Sequence, residues 1–292
     1  RMGRAFPSGT ASTRVFPGGT SQARSFPRRL SPSREERVLR NAPLLPTDPR
    51  SLSVPLIGWA RADIGATLNG SNVSAWLDLV GGTNWAQATA DDQPPFASSG
   101  LGSRAEIQFD GSSDTMTGLN LYGSLTAKDE WTVVLVTRGW GFGVGGNPWA
   151  TEGLFGAPSG GGSYFNIGIV RQSPEGCFGY HVYEAAPDAM RITGSGATSL
   201  AAGSNAMIVC VSDGSNGFTR VNGLIGTVIT DMAALEASAT TVNIGKGTRD
   251  ASKVPGYYDG TLSEVLVFNG ALGSSEIGLV ERYLSIRYGI AA

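Results

Sequence analysis

Histidine and cysteine are scarce in this chain, and their scarcity excludes several classes of chemistry. The 292 residues include one histidine, His181, and two cysteines, Cys177 and Cys210. A Ser-His-Asp or Cys-His mechanism would need His181, but its alternating context, GYHVYE, favours a structural or surface histidine. Two cysteines lack the density and paired spacing of a disulfide scaffold or zinc site. Cys210, inside the apolar stretch AMIVCV, is expected to be a small buried hydrophobe.

Charged residues and long apolar runs are also few. Only 16% of the residues are charged, and no apolar run reaches the roughly 20 residues of a membrane-spanning helix, so no membrane segment is expected. The N-terminal residues lack the apolar centre of a secretory signal, which favours assembly inside the cell. The motifs G-x-S-x-G and H-E-x-x-H are missing, and so is the E-x-D-x-E strand of glycosidases on related folds. These absences favour a protein that is not an enzyme.

Glycine, by contrast, is abundant, with 42 residues, and it separates many short apolar runs. Nine segments have the composition of strands and are bounded by turn signals such as NG, DG and GG. They are 73–79, 105–109, 131–138, 164–170, 178–183, 206–212, 218–221, 240–245 and 261–268. The sequence therefore predicts an all-β fold, a two-sheet antiparallel jelly-roll sandwich.

One helical pattern stands near the C-terminus, in SSEIGLVERYLSIRYGI. Its apolar stripe consists of Ile277, Val280 and Leu284. Ser274 or Ser275 is expected to cap its start, and Gly289 to end it. A short C-terminal helix is therefore predicted to follow the last strand.

Both ends of the predicted sandwich resemble the LamG-like, concanavalin-type jelly-roll family. The matching pieces at the start are LIGWARAD, VSAWLD and the Phe109-Asp110-Gly111 turn; a G-x-L-x-E strand and Y-L-x-x-[KR]-Y-G-I match at the end. The closing residues in family-like order are Gly260, Glu264, Asn269, Tyr283, Leu284, Tyr288 and Gly289. The resemblance implies the fold over roughly residues 55–290 and an architectural role for these residues. The family occurs in bacterial surface proteins and in bacteriophage head and tail proteins, so fold and function are separate questions.

The N-terminal residues have a different character. Arg-x-Phe-Pro recurs at Arg4, Arg14 and Arg24, and proline biases the residue before it towards extended geometry. Residues 1–50 carry ten Arg against three acidic residues, a net +7, which leaves −9 on residues 51–292. We predict an extended arm over 1–30, a connector with room for a short helix over 31–54, and the jelly-roll domain over 55–292.

The ten-residue register of the arm favours repeated contacts with a protein partner. Successive Phe side chains on an extended arm would lie about 31–33 Å apart and would bind multivalently. Nucleic acid is disfavoured, because Phe-Pro recurs as strictly as Arg and Gly-Thr follows it in the first two copies, a register that binding to phosphates does not require. The predicted anchoring residues are Arg4, Phe6, Pro7, Arg14, Phe16, Pro17, Arg24, Phe26 and Pro27.

The leading hypothesis from these features is a structural bacteriophage virion protein. It would be a capsid decoration or head fibre, or a tail component, assembled in the host cytoplasm and located in the virion. Residues 1–50 would bind other virion proteins, and a homo-oligomer, with a trimer favoured, would display the domain. The alternative is a carbohydrate-binding module that recognises a host surface glycan as part of a tail fibre. A glycan-cleaving enzyme is the third hypothesis, disfavoured by the missing carboxylate pair.

Two further sets of candidate residues belong to these hypotheses. Aromatic rings that could stack on sugars are Trp140, Trp149, Tyr257 and Tyr258. Turn carboxylates that could bind Ca²⁺, the one cofactor considered, are Asp78, Asp110, Asp114 and Asp213, although Asx-turn geometry explains them equally well. The G-x-G-x-x-G match that begins at Gly141 is followed by Asn-Pro-Trp instead of a helix, which favours a loop over a dinucleotide site.

Overall fold

Two large antiparallel β-sheets and a C-terminal helix make up the part of the chain that the structure, a computed structural model, describes. The described residues are 48–81, 84–119, 130–139, 151–158, 165–172, 177–183, 190–192, 200–230, 241–247 and 256–292. All of them belong to one unit, Pro46–Ala292. The predicted all-β sandwich with a short C-terminal helix is confirmed, whereas the predicted arm, 1–30, lies outside the described residues.

The elements are numbered in chain order. The strands are β1 (Leu56–Arg61), β2 (Ala66–Asn69), β3 (Asn72–Trp76), β4 (Trp85–Ala86), β5 (Phe96–Ala97), β6 (Glu106–Asp110), β7 (Met116–Leu119), β8 (Glu130–Gly139), β9 (Thr151–Pro158), β10 (Phe165–Gln172), β11 (Cys177–Tyr183), β12 (Met190–Ile192), β13 (Asn205–Asp213), β14 (Asn216–Val221), β15 (Leu224–Ile225), β16 (Ile229–Thr230), β17 (Thr241–Ile244), β18 (Lys246–Gly247), β19 (Gly256–Tyr257) and β20 (Asp259–Phe268). The helices are α1 (Ala62–Gly65) and α2 (Ser274–Tyr288). Single 3₁₀ turns lie at Pro49–Ser51, Ala90–Asp92 and Leu101–Ser103. Each of the nine predicted strand segments overlaps an observed strand.

Strand β20 lies inside the first sheet and pairs with three other strands. The order of that sheet is β15-β14-β13-β8-β20-β6-β5, and β16 pairs with β14. One edge of β20 pairs with β8, while β6 and then β1 pair in succession along its other edge. The second sheet has the order β12-β11-β10-β9-β17-β7-β4-β3-β2, and β18 and β19 form a separate two-stranded ribbon. The pairing of β20 with β6 positions the residues of the candidate site.

An inner core lies between the two sheets. The larger side chains of the first sheet in this core are Ile107, Phe109, Trp131, Val133, Leu135, Ile208, Leu262, Val265 and Val267. Those of the second sheet are Val73, Trp76, Trp85, Met116, Leu154, Phe155, Phe178, Val242 and Ile244. Cys210 also belongs to the core as a free, buried thiol, as predicted, and burial raises its pKa to about 12. A thiol with so high a pKa is unreactive at neutral pH.

Helix α2 covers the opposite face of the first sheet and creates an outer cluster. The sheet side chains of the outer cluster include Trp59, Val134, Val136, Met207, Val209, Val211, Leu266 and Phe268. The predicted stripe of α2, formed by Ile277, Val280 and Leu284, is buried against them. Strands β8, β13 and β20 are therefore buried on both faces, which explains why their sequences are continuously apolar instead of alternating.

The start of α2 differs from the prediction. Gly273, and neither Ser274 nor Ser275, is the N-cap residue. The carboxylate of Glu276 accepts a hydrogen bond from the Gly273 N–H at 3.2 Å and another from the Ser53 N–H at 2.9 Å. This carboxylate satisfies the N–H group of the N-cap residue and, because it lies in the first turn, complements the helix dipole. The helix ends as predicted at Gly289, whose φ of 68° is in the left-handed region.

The packed residues begin upstream of position 55, the predicted start of the domain. Pro49 is buried, and Leu52 and Val54 pack against the outer cluster. Part of the predicted connector, residues 48–54, therefore contributes to the outer layer.

One buried carboxylate, that of Glu264 in β20, joins three parts of this layer. Its Oε1 accepts hydrogen bonds from the indole Nε1 of Trp59 at 2.7 Å and from the Tyr283 hydroxyl at 3.0 Å. Its Oε2 accepts one from the Tyr288 hydroxyl at 2.7 Å, and the Arg287 Nε lies 3.1 Å away. Burial raises the pKa of Glu264, although these donors act in the opposite direction. Glu264, Tyr283 and Tyr288, three residues of the closing motif, are therefore architectural, as predicted.

We expect Glu264→Gln to lower the free energy of unfolding by about 2–4 kcal/mol, because an amide turns an N–H₂ group towards buried donors that then lack an acceptor. Chemical denaturation of the full chain measures this change. The control is Glu130→Gln, which makes the same substitution at an exposed strand residue and should change stability by less than about 0.5 kcal/mol. Equal effects of the two substitutions would contradict the role assigned to the buried carboxylate.

Candidate functional site

Two copies of an aromatic-Asp-Gly turn lie side by side at one end of the first sheet. The copies are Phe109-Asp110-Gly111, at the end of β6, and Tyr258-Asp259-Gly260, at the start of β20. Asp110 and Asp259 are directly paired across the antiparallel strands. The Gly111 N–H donates to the Tyr258 carbonyl oxygen at 3.1 Å, and a Cβ atom on Gly111 would lie 3.0 Å from that of Asp259. The close approach and the φ of +71° at Gly111 both favour glycine there.

An open cleft of about 250 Å³ lies at this double turn. Its lining residues are Pro95, Gln108, Phe109, Asp110, Asp114 and Asp259. Asp110 and Asp259 lie on the same face of the sheet because they are opposite each other in the register. The cleft therefore combines three carboxyl groups and one amide with apolar atoms of a proline and a phenylalanine.

The carboxylate of Asp110 is held by its own turn. Its Oδ1 accepts hydrogen bonds from the N–H groups of Ser112, Ser113 and Asp114 at 2.8, 2.9 and 3.1 Å. Burial acts to raise the pKa of Asp110, but these hydrogen bonds and that of the Ser112 hydroxyl outweigh it and hold the pKa well below the usual range. Asp110 is therefore a fixed, charged acceptor at the mouth of the cleft throughout the neutral range.

The pKa of Asp114 is raised, whereas that of Asp110 is lowered. Asp114 is 4% exposed, and burial, with the negative charges of Asp110 and Asp92, raises its pKa to about 7. Its Oδ2 accepts a hydrogen bond from the Asp110 N–H at 3.0 Å. Near neutral pH this carboxyl group is partly protonated, so it can donate as well as accept a hydrogen bond.

Such a lining can bind a small polyhydroxylated molecule. Carboxylates and amides accept and donate hydrogen bonds at defined positions, while the exposed ring of Pro95 provides surface for the C–H face of a sugar. The volume is below the roughly 300–1,000 Å³ of sites that enclose drug-sized ligands, so the cleft suits one sugar unit at a time.

The predicted aromatic glycan contacts divide into three cases. Tyr258 is fully buried, with its ring centroid 6.3 Å from that of Phe109 and its hydroxyl against that of Thr137, so its predicted role as an exposed stacking ring is wrong. Tyr257 is half-buried in β19, and the Lys246 ammonium lies 5.3 Å from its ring centroid. Trp140 and Trp149 lie outside the described residues and stay predictions.

The four proposed calcium ligands do not converge. Asp78 Oδ1 accepts hydrogen bonds from the N–H groups of Trp59 and Val80, and Asp213 Oδ1 accepts those of Ser215 and Asn216. The contacts from Val80, Ser215 and Asn216 are the Asx-type turn contacts that the sequence offered as the other explanation, whereas the contact from Trp59 joins Asp78 to β1. In the part of the chain that the structure describes, no three His, Cys, Asp or Glu side chains are grouped to hold a metal ion.

The histidine and one of the two cysteines lie on a strand of the second sheet. His181 lies in β11, where its backbone pairs with those of Gly168 and Ile192, and Cys177 begins the same strand. The nine predicted anchoring residues of the arm lie outside the described residues, and their role stays a prediction. Among the described helices, none is long and apolar enough to span a membrane.

The sequence did not reveal Pro95, Gln108 or Asp259 as site residues. The available signal was the repetition of aromatic-Asp-Gly at 109–111 and 258–260, of which only the first was recognised as a turn. The two copies are distant in sequence, and only the pairing of β6 with β20 makes them neighbours.

The comparisons with known proteins define the class of fold. No family model and no curated protein matches the chain. Domain 4 of AbnA, a GH43 extracellular arabinanase from Geobacillus stearothermophilus solved in complex with arabinotriose, is similar with a TM-score of 0.56 and 14% identity, over 77% of this chain and 98% of that one. Trypanosoma rangeli sialidase in complex with sialic acid is similar with a TM-score of 0.53 and 19% identity, over 86% of this chain and 38% of that one. This chain thus spans little more than a third of the sialidase.

These similarities correct the leading hypothesis. The similar folds belong to sialidases and to a domain of an arabinanase, with no link to a bacteriophage, so the assignment as a structural virion protein is contradicted. The β-sandwich implied by the family resemblance is supported, without the LamG family itself being matched. The predicted location, oligomeric state and protein partners are untested and stay predictions.

The raised pKa of Asp114 predicts a specific dependence of stability on pH. Because the pKa is about 7 in the folded chain and about 3.9 when unfolded, protonation of Asp114 stabilises the fold fully below about pH 4 and is lost as the pH rises through 7. Asp114→Asn keeps an acceptor for the Asp110 N–H but cannot ionise. We expect the stability of this variant, relative to the unchanged chain, to rise between pH 5 and 8.

Thermal unfolding of both proteins at several pH values measures this difference. Asp213→Asn is the matched control: burial acts to raise the pKa of Asp213, but hydrogen bonds from its turn outweigh burial and lower this pKa from an ordinary value that is already below 5. A constant difference between Asp114→Asn and the unchanged chain from pH 5 to 8 would show that Asp114 does not titrate in this range.

Proposed function

We propose that the chain carries a LamG-like, carbohydrate-binding β-sandwich that binds glycans at the double-turn cleft without cleaving them. The observation that carries this proposal is the lining of the cleft, which places fixed hydrogen-bonding groups beside the exposed ring of Pro95. The similar fold of an arabinanase domain solved with arabinotriose supports a glycan as the ligand.

Binding is favoured over hydrolysis by the way the carboxyl groups are held. A pair of carboxyl groups with well-separated pKa values, as Asp110 and Asp114 have, is also found in glycosidases. Here, however, Asp110 Oδ1 accepts three backbone N–H groups, and Asp114 Oδ2 accepts the Asp110 N–H. Both carboxyl groups are thus committed to the turn that contains them, and this commitment supports a role in shaping the cleft.

Glycan binding by the full chain can be tested on an array of immobilised oligosaccharides, followed by titration of the bound sugars. We expect saturable binding, and at least about a tenfold loss of affinity for Gln108→Ala and for Asp259→Ala, since each removes polar groups from the cleft. Asp213→Ala, which removes a turn carboxylate that does not line the cleft, should leave the affinity unchanged.

Two results would contradict the proposal. One is an absence of binding to any glycan by a protein that unfolds cooperatively. The other is release of shortened products from the bound oligosaccharides, abolished by Asp114→Asn, which would make the chain a hydrolase.

A further inference from the structure

We infer that the cleft selects neutral sugars and amino sugars and rejects sugars that carry a carboxylate, such as sialic and uronic acids. This inference rests on the proposed glycan-binding function and specifies the ligand class for the same site. It is notable because sialidases are among the proteins of similar fold.

The charge of the lining is the first argument. Asp110, Asp114 and Asp259 contribute three carboxyl groups, and no basic side chain lines the cleft among the residues that the structure describes. The three N–H donors on Asp110 keep it ionised, so at least one negative charge faces a ligand at any pH near neutrality. Recognition of a carboxylate in proteins relies on the opposite arrangement, most often an arginine with its paired donors.

The second argument is that four arginines of the described residues form ion pairs within the fold. Arg138, the arginine on β8 near the cleft strands, places its Nη2 2.5 Å from Oε1 of the buried Glu106. Arg61 and Arg287 form ion pairs with Asp63, and Arg220 forms one with Glu281. These four guanidinium groups bind carboxylates of the fold itself, and none of the four residues lines the cleft.

The net charge of the domain also disfavours the binding of acidic sugars. Residues 51–292 carry a net charge of −9, so the potential around the domain opposes the approach of anions. Within a recess, the interaction of two carboxylates is screened less than in bulk water. We therefore expect a preference of at least about tenfold for a neutral sugar over the corresponding uronic acid. An amino sugar, which carries an ammonium group, should bind at least as well as the neutral sugar.

The test uses the full chain and two sugar series that differ only in charge. The series are the methyl glycosides of glucose, glucosamine and glucuronic acid, and those of galactose, galactosamine and galacturonic acid, titrated at pH 7.5 and low salt. A glycan array with neutral, amino and sialylated chains provides the wider survey. The expected result is binding of neutral and amino members, with acidic members at least about tenfold weaker.

Asp259→Asn removes one charge from the cleft and keeps the shape of the side chain, so the discrimination against uronic acids should fall several-fold. Asp213→Asn removes the same charge outside the cleft lining and should leave the discrimination as it was. Equal or tighter binding of the acidic members would overturn the inference while the glycan-binding function stands. Failure of all six sugars and of the array to bind would overturn both the function and this inference.

Discussion

The carboxylate of Glu264 is the contact on which the outer half of the structure depends. Taking a carboxylate out of water is unfavourable unless hydrogen bonds replace the lost hydration, and here donors from β1 and α2 converge on it. The carboxylate thereby joins the first strand, the last strand and the last helix. With α2 held in place, the sheet can be apolar on both faces, which gives β8, β13 and β20 their continuous hydrophobic sequences.

The same strand also builds the candidate site. β20 begins at Asp259, opposite Asp110 of β6, and five residues later it supplies Glu264 to the outer layer. Side chains on one strand thus serve two purposes: the half-buried Asp259 at its start lines the cleft, while the carboxylate further along is buried and accepts hydrogen bonds from three side chains. Environment, and not residue type, decides which carboxyl groups are available to a ligand.

The fold could be predicted from the sequence because its signals are local. The candidate site could not be predicted, because it depends on contacts between distant segments. A strand that is buried on both faces has a continuous apolar run, and a helix that is buried on one face has an apolar stripe. These two patterns locate the inner strands of the first sheet and α2. The cleft requires the register of β6 against β20, which no local pattern reveals. Tyr257 and Tyr258 show the same limit: they are neighbours in sequence, yet only Tyr258 is fully buried in the core. The virion hypothesis relied on the arm and on a family with many functions, and one fold serves unrelated roles.

The most direct test of the account is to locate the bound sugar on the domain by amide NMR. The titrant is a neutral sugar contained in the glycan that binds most tightly on the array. The account predicts saturable chemical-shift changes of the backbone amides, centred on Gln108, Asp110, Asp114 and Asp259. Amides of α2, none of whose residues lines the cleft, should not move. Saturable changes confined to other surfaces, such as the ribbon that carries Tyr257, would contradict the assignment of the double-turn cleft as the binding site.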